Sequence, residues 1–245
     1  MGFSTLNTAR SALSAVLPPV AGRPVGEHVL VSRLLKGVKS KRPSLPRYNY
    51  TWDPNVVTNF LKQATNDTLR DLTLNLTMLM ALVTGQRAQT LHALKVSDME
   101  FDDDSITFTL SSPLKTRGPG VSVHFKAFSN PKLCVVNLIH QYLAKTKDIR
   151  KDDRLLLSFI KPYAGVTCDT VRRWIVKVMA RAGIDTRVFK AHSTRAAATS
   201  AARRKDVPLA AILKAVLWKS ENTFVKFYNR PVRSCNQSFA EGVLS

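Results

Sequence analysis

Acidic residues are scarce in this chain of 245 residues. Asp and Glu number 17 against 37 Lys and Arg, leaving a formal net charge of +20. A field of that sign favours polyanions, with nucleic acid the first candidate and an acidic membrane surface or acidic protein the blander alternatives. Cysteine is scarce as well. Cys134, Cys168 and Cys235 are widely spaced, odd in number and form no CxxC pair. Neither a zinc site nor a disulfide framework is indicated, and reduced, buried thiols in an intracellular protein are expected. Long apolar runs are missing. The longest, Leu72 to Val83, is interrupted by Thr73, Asn75 and Thr77 and follows Arg70-Asp71. It is too short and too polar to span a bilayer. No basic region followed by an apolar block opens the chain, so no signal peptide is expected. Internal repeats and low-complexity tracts are also lacking. What is present is an ordinary apolar content of 44%. That supports one good-sized domain, or one domain with part of a second.

The pattern along the chain predicts a mostly helical α+β protein with a small antiparallel sheet. Residues 1–43 read as one or two helices, with an amphipathic stretch from Val29 to Val38 and a basic end, Lys39-Ser40-Lys41-Arg42-Pro43. Residues 44–53 read as an extended linker marked by Pro46 and Arg47. Asp53 before Pro54 predicts an N-cap with proline at the first helical position, opening a helix over 54–65. Leu69, Leu72, Leu76, Leu79, Met80 and Val83 recur at helical spacing, and Gly85 suits a left-handed cap at the end of that helix. A short helix is expected from Arg87. The period then changes: Ile106, Phe108 and Leu110 alternate with polar residues, as do Val121, Val123 and Phe125, predicting two strands. Ser111 to Gly120 forms the turn-rich hairpin loop between them. Further helices are expected at 131–146, 169–182, 193–204, 207–217 and 221–229. Asp206 and Ser220 are candidate N-caps for the last two, and Phe224, Phe227 and Tyr228 are expected on one side of the final helix.

Several residues invite a chemical reading. Arg87 follows a glycine cap and can point a long cation into a cleft, or simply face solvent. Lys115 sits in a loop shaped by glycine and proline, where it can meet a bound backbone or only water. His192 and Arg195 share a helix face at i and i+3, near the positive end of a helix dipole, and can serve one phosphate. Tyr228 is either a core aromatic or a hydroxyl reaching a cleft from a helix end. A phenol titrates near ~10, so a tyrosine nucleophile needs a base or a strongly positive site. Arg203-Arg204-Lys205 reads as a solvated face, although three adjacent cations also suit nuclear import.

The ordered set of Arg87, Lys115 in a β-hairpin, His192-x-x-Arg195, Trp218 and Tyr228 resembles the catalytic domain of tyrosine recombinases, the phage-integrase-like family. The wording of Thr84-Gly85-Gln86-Arg87-Ala88-Gln89-Thr90-Leu91, of Ala191-His192-Ser193-Thr194-Arg195 and of Trp218 through Pro231 is similar to recombinases of DIRS-type and Ngaro-type retrotransposons. The resemblance covers about residues 48–231. It implies the tyrosine recombinase catalytic fold over 54–231, a tail at 232–245, and a remnant of a helical, SAM-like core-binding domain at 1–43. On this reading the chain is a fragment of a longer element-encoded protein, or a gene model that lost its start.

The resemblance also implies roles. Arg87 and Arg195 hold the non-bridging oxygens of the scissile phosphate. Tyr228 attacks phosphorus to leave a 3′-phosphotyrosine, Lys115 protonates the leaving 5′-oxygen and His192 assists proton transfer from the phenol. Trp218 donates its indole N–H to a phosphate oxygen. The phosphodiester energy stays in the protein link, so no cofactor, nucleotide or metal is called for. The implied partners are double-stranded DNA and further copies of the chain, as a tetramer on two DNA sites, with neither a membrane nor a small-molecule substrate. A eukaryotic element implies a nuclear protein, and any other host an intracellular one. Two departures from the family stand out. The step from Trp218 to Tyr228 is one residue longer than the family spacing, which leaves the role open between Trp218 and Lys219. Thr90 replaces the family's usual acidic residue three after the first arginine. A non-catalytic DNA-binding remnant and a type IB topoisomerase-like nicking and rejoining enzyme are the competing functions.

Overall fold

The computed structural model describes residues 1–43, 45, 47–113, 118–218 and 220–232. The chain forms two compact units, Met1–Arg47 and Tyr48–Ser245.

The first unit holds two helices, α1 (Phe3–Val16) and α2 (Val29–Lys41). The imidazole of His28 caps α2 by accepting from the amide of Leu30. Gly26 lets the connection lie against α1. Its amide donates to Ser14 Oγ at 2.9 Å, and a Cβ there would meet the same oxygen at 2.9 Å.

The second unit is built around one helix. α3 (Pro54–Gln63) opens as expected, with Asp53 accepting from the amide of Asn55 and proline in the first turn. α4 (Leu69–Thr84) is capped by Thr68, and Gly85 ends it in the left-handed region at φ 57°. The sequence marks this as the most buried helix, and α4 is buried nearly all round: Leu74, Met78, Thr73 and Thr77 are as enclosed as Leu72 and Leu76. The threonines lie in the core at no hydrogen-bonding cost: Thr73, Thr77 and Thr84 each donate to a carbonyl four residues back, at 2.6–2.7 Å. Val83, expected in the core, is 53% exposed.

α4 packs against α5 (Ala88–Ala93), α6 (Val135–Thr146), α7 (Cys168–Arg181), α8 (Ser193–Arg204) and the last strand of the sheet. The sheet has three antiparallel strands in the order β1 (Met99–Phe101), β2 (Ser105–Leu110) and β3 (Val121–Lys126). Ile106 faces Phe125 and Phe108 faces Val123, all buried. On the other face Thr107 pairs with His124, and Thr109 with Ser122. β1 is too short to show a period, so only its pairing with β2 reveals it.

Three expectations about the helices are corrected. The segment from 131 begins as a 3₁₀ turn, Pro131–Leu133. The α-helix starts only at Val135, where the Cys134 thiol accepts from the amide of Asn137. Asp206 does not cap α9 (Leu209–Ala215). It lies at φ 58° and closes α8, with Val207 N–H reaching the carbonyl of Ala202. This is a C-terminal turn of the kind glycine usually makes. In α10 (Glu221–Phe227) Phe224 is buried and Phe227 is 37% exposed. Positions 224 and 228 share the inner side, and 227 does not. Cys134 is buried as expected, while Cys168 is only partly so. Cys235 lies outside the described residues.

Candidate active site

The second unit contains a smaller core beside the main one, formed by Ala196, Ile212, Val216, Trp218, Phe224 and Tyr228. It gathers α8, α9 and α10 and brings most of the sequence candidates together.

α8 supplies two of them. His192 is its N-cap residue and faces solvent. Arg195, one turn further on, points inward and is 1% exposed. The small residues around it explain how a guanidinium can be enclosed, since Ala196 and Ala197 leave room that larger side chains would fill. The first amides of α8 are not open to a ligand. Ser193 N–H donates to Lys190 at 2.8 Å, and those of Thr194 and Arg195 reach Ala191 and His192 at 3.3 and 3.4 Å. The expected contribution of the helix dipole therefore gives way to the side chains. Ser193 also accepts from the Trp52 indole at 2.9 Å, which pins the start of α8.

α10 delivers Tyr228 as its C-cap. The Tyr228 amide donates to Phe224 at 2.8 Å, and its carbonyl accepts from Ser200 Oγ at 2.6 Å. Ser200 then accepts from the amide of Arg230 at 2.9 Å. One serine of α8 thus clamps the backbone on both sides of the tyrosine. The phenol oxygen sits 2.8 Å from His192 Nε2.

Trp218 reaches the same place from the end of α9. Leu217 adopts φ 57°, and the Trp218 amide donates to Leu213 at 2.9 Å. This left-handed turn places the indole 4.4 Å from the Tyr228 ring and 4.9 Å from the Arg195 guanidinium carbon. Arg195 also lies 5.6 Å from the Tyr228 ring. Lys219, the alternative at the family spacing, lies outside the described residues, as does Lys115.

The electrostatics follow from burial. Among the described residues the Arg195 guanidinium makes one hydrogen bond, from Nη2 to the Val216 carbonyl at 3.2 Å, and its buried Nε and Nη1 have no partner. The buried Trp218 Nε1 likewise has no partner among the described residues. Burial, and then the charge of Arg87, push the Arg195 guanidinium down to about 10, partly offset by Tyr228. Arg87 is the N-cap residue of α5, just past Gly85, and is partly exposed. Arg195 is still a cation at neutral pH, and a cation desolvated without a carboxylate partner is unfavourable unless an anion arrives. Buried donors aimed at an anion that only the ligand supplies are what a phosphate site requires.

Sequence reasoning overlooked Gln86, Ser193, Ser200 and Val216. Ser193 and Ser200 sit in an Ala- and Ser-rich stretch and carry no signal apart from their small size. Val216 matters through its carbonyl, which no side-chain pattern shows. Among the described residues no cluster of three or more His, Cys, Asp or Glu could hold a metal, and no helix is long and apolar enough to cross a membrane.

The sequence profile of the phage integrase family matches residues 51–233. Among solved structures, XerH site-specific recombinase bound to difH substrate is similar at a TM-score of 0.60 and 14% identity, over 100% of this chain and 70% of that one. A lambda integrase dimer bound to a COC′ core site matches at 0.55 and 17%, over 95% and 76%. The Tn1549 transposon integrase in complex with transposon right end DNA matches at 0.62 and 12%, over 100% and 81%. At these identities the likeness is one of fold. Among curated proteins none matches the chain in sequence.

Proposed function

This chain belongs to the phage integrase family and is a tyrosine recombinase, an enzyme of site-specific DNA cleavage and rejoining, and we propose that Tyr228 is the residue that carries the strand. One observation supports this above the rest. The Tyr228 hydroxyl lies 2.8 Å from His192 Nε2, beside a buried Arg195 with two nitrogens that no described residue partners.

The mechanism builds on that geometry. With its own proton on Nδ1, His192 accepts the phenol proton at Nε2 as the oxygen attacks phosphorus. A Tyr228–phosphorus bond forms and the bond to the 5′-oxygen breaks, leaving a 3′-phosphotyrosine. Lys115 gives the leaving oxygen its proton. Arg195 and Arg87 bind the non-bridging oxygens, and their hold strengthens as charge builds in the pentacoordinate state. Trp218 supplies a further N–H. Attack on the phosphotyrosine by a 5′-hydroxyl from another strand reverses the step and frees Tyr228.

Thr84 to Leu91, Ala191 to Arg195 and Trp218 to Pro231 resemble DIRS-type and Ngaro-type elements, and on that ground the chain serves a transposable element, in the nucleus where the host is eukaryotic. Residues 1–43 are read as belonging to a helical DNA-clamping domain, and the working assembly as a tetramer on two DNA sites. A lambda integrase tetramer bound to a Holliday junction shares the fold, at a TM-score of 0.53.

The test uses nicked suicide duplexes bearing the termini of the element. The folded chain should form a denaturant-resistant adduct, and Tyr228→Phe none. An adduct that survives Tyr228→Phe, or no adduct from folded wild-type protein, would overturn the assignment.

A further inference from the structure

Gln86 and Thr90 form a second layer beneath the site. Both are buried, at 4% and 3% exposure. Gln86 Nε2 donates to the carbonyl of Ala215 at 2.8 Å, and Thr90 Oγ1 donates to Gln86 Oε1 at 3.3 Å. The backbone amide of Gln86 donates to Thr84 Oγ1 at 3.2 Å, which anchors the main chain from which the side chain extends. The side-chain amide is thus held at both its oxygen and its nitrogen, and its target is the last turn of α9.

That turn matters because it leads directly into the site. The next carbonyl, Val216, is the acceptor for Arg195. Val216 also lies so close to Gly85 that a Cβ there would approach its Cγ1 to 2.6 Å. Two residues on, Trp218 covers both Arg195 and Tyr228. On the other side, Gln86 is bonded directly to Arg87. One neutral amide therefore joins the junction that carries Arg87 to the turn that fixes Arg195 and Trp218. Each partner of Gln86 is a fixed group of the fold, so its rotamer is specified.

We propose that Gln86, oriented by Thr90, is a positioning residue for DNA strand cleavage: it holds the α9 turn so that Arg195 and Trp218 meet the phosphate held by Arg87. This rests on the strand-cleavage reading above. The link is neutral.

The experiment uses the full chain and a nicked duplex recovered from a randomised-sequence pool by covalent capture on the unaltered protein. Single-turnover cleavage is measured against enzyme concentration, together with thermal unfolding. Gln86→Met keeps the length and loses both hydrogen bonds, and Thr90→Val keeps the shape and loses the hydroxyl. Small misplacements at a reacting centre cost up to about 10²-fold. Gln86→Met should lower the maximal cleavage rate about 10- to 100-fold while the half-saturating concentration stays within about twofold. Thr90→Val should lower it less, and Thr90→Ser, which keeps the hydroxyl, should recover most of that loss. A Gln86→Met protein that is folded and cleaves at the wild-type maximal rate overturns the proposal. So does a loss confined to DNA affinity, or one that tracks unfolding. Failure of the unaltered chain to capture any duplex would overturn the strand-cleavage reading and this inference with it. Capture by the wild type with unchanged rates in Gln86→Met overturns this inference alone.

Discussion

Arg195 is the residue on which stability and function pull in opposite directions. Its guanidinium is buried among Trp218, Tyr228 and Val216 with one carbonyl for company. Holding it protonated there costs folding energy, as its lowered pKa shows. A hydrophobic side chain of similar length removes that cost and keeps the packing. Arg195→Met should therefore raise the unfolding free energy by about 1–3 kcal/mol, measured by urea denaturation, while abolishing adduct formation. Lower stability in Arg195→Met would mean that the guanidinium is held by more than the structure shows. Trp218 allows a cleaner separation. Trp218→Phe keeps an aromatic face on Tyr228 but removes the N–H together with part of the indole ring. Cleavage should slow by ~10-fold or more at a cost of about 1 kcal/mol in stability, and an unchanged rate would remove the indole N–H from the mechanism.

The elements hold these residues in place through their ends. Gly85 terminates α4 in a conformation costly for residues with a Cβ, and the vacant position admits Val216. Gly85→Ala should cost about 1–3 kcal/mol and displace the α9 turn, so unfolding temperature and cleavage rate should fall together. At the opposite end of α4, Asp71 accepts from Thr68 Oγ1 at 2.7 Å and from Arg181 of α7 at 3.0 Å. The Thr68 hydroxyl first, and then Arg181, hold its carboxyl below the ordinary value of 3.8. A carboxyl so lowered contributes stability that is complete above about pH 4 and lost as the pH falls through the folded value. Asp71→Asn should thus be less stable than wild type at pH 7, by about 0.5 kcal/mol for so exposed a pair. The gap should close as the pH falls through the folded value.

Much at this scale was legible in the sequence. The Asp53-Pro54 cap, the Gly85 stop and the alternation at Ile106, Phe108 and Leu110 each encode one local rule, and the structure obeys them. α4 was legible as the most buried helix, but the burial of Thr73 and Thr77 was not, because they look polar until they bond the turn behind them. Asp206 misled because the same residue types suit the start of one helix and the left-handed end of another. In the candidate site, His192, Arg195, Trp218 and Tyr228 stood out by order and chemistry. Gln86, Ser200 and the Val216 carbonyl did not, because their work is done through backbone atoms brought together by α8, α9 and α10.

For the whole molecule the net charge of +20 dominates. Many exposed cations contacting phosphates release counterions, so DNA affinity should fall steeply with salt, linearly on logarithmic axes. Between about 50 and 200 mM salt the loss should reach ~10³-fold for six or more phosphate contacts, as read by fluorescence anisotropy. A flat salt response would contradict a phosphate-led interface. Cleavage of prebound DNA at fixed saturation should depend far less on salt, because Arg195 is shielded from solvent. The most direct test of the central claim is to map the covalent adduct. Digesting the trapped complex with protease and nuclease and sequencing the peptide by mass spectrometry should place a nucleotide 3′-phosphate on Tyr228 and leave a free 5′-hydroxyl on the other strand end. A phosphate on any other residue, or a 5′-phosphotyrosine, would contradict it.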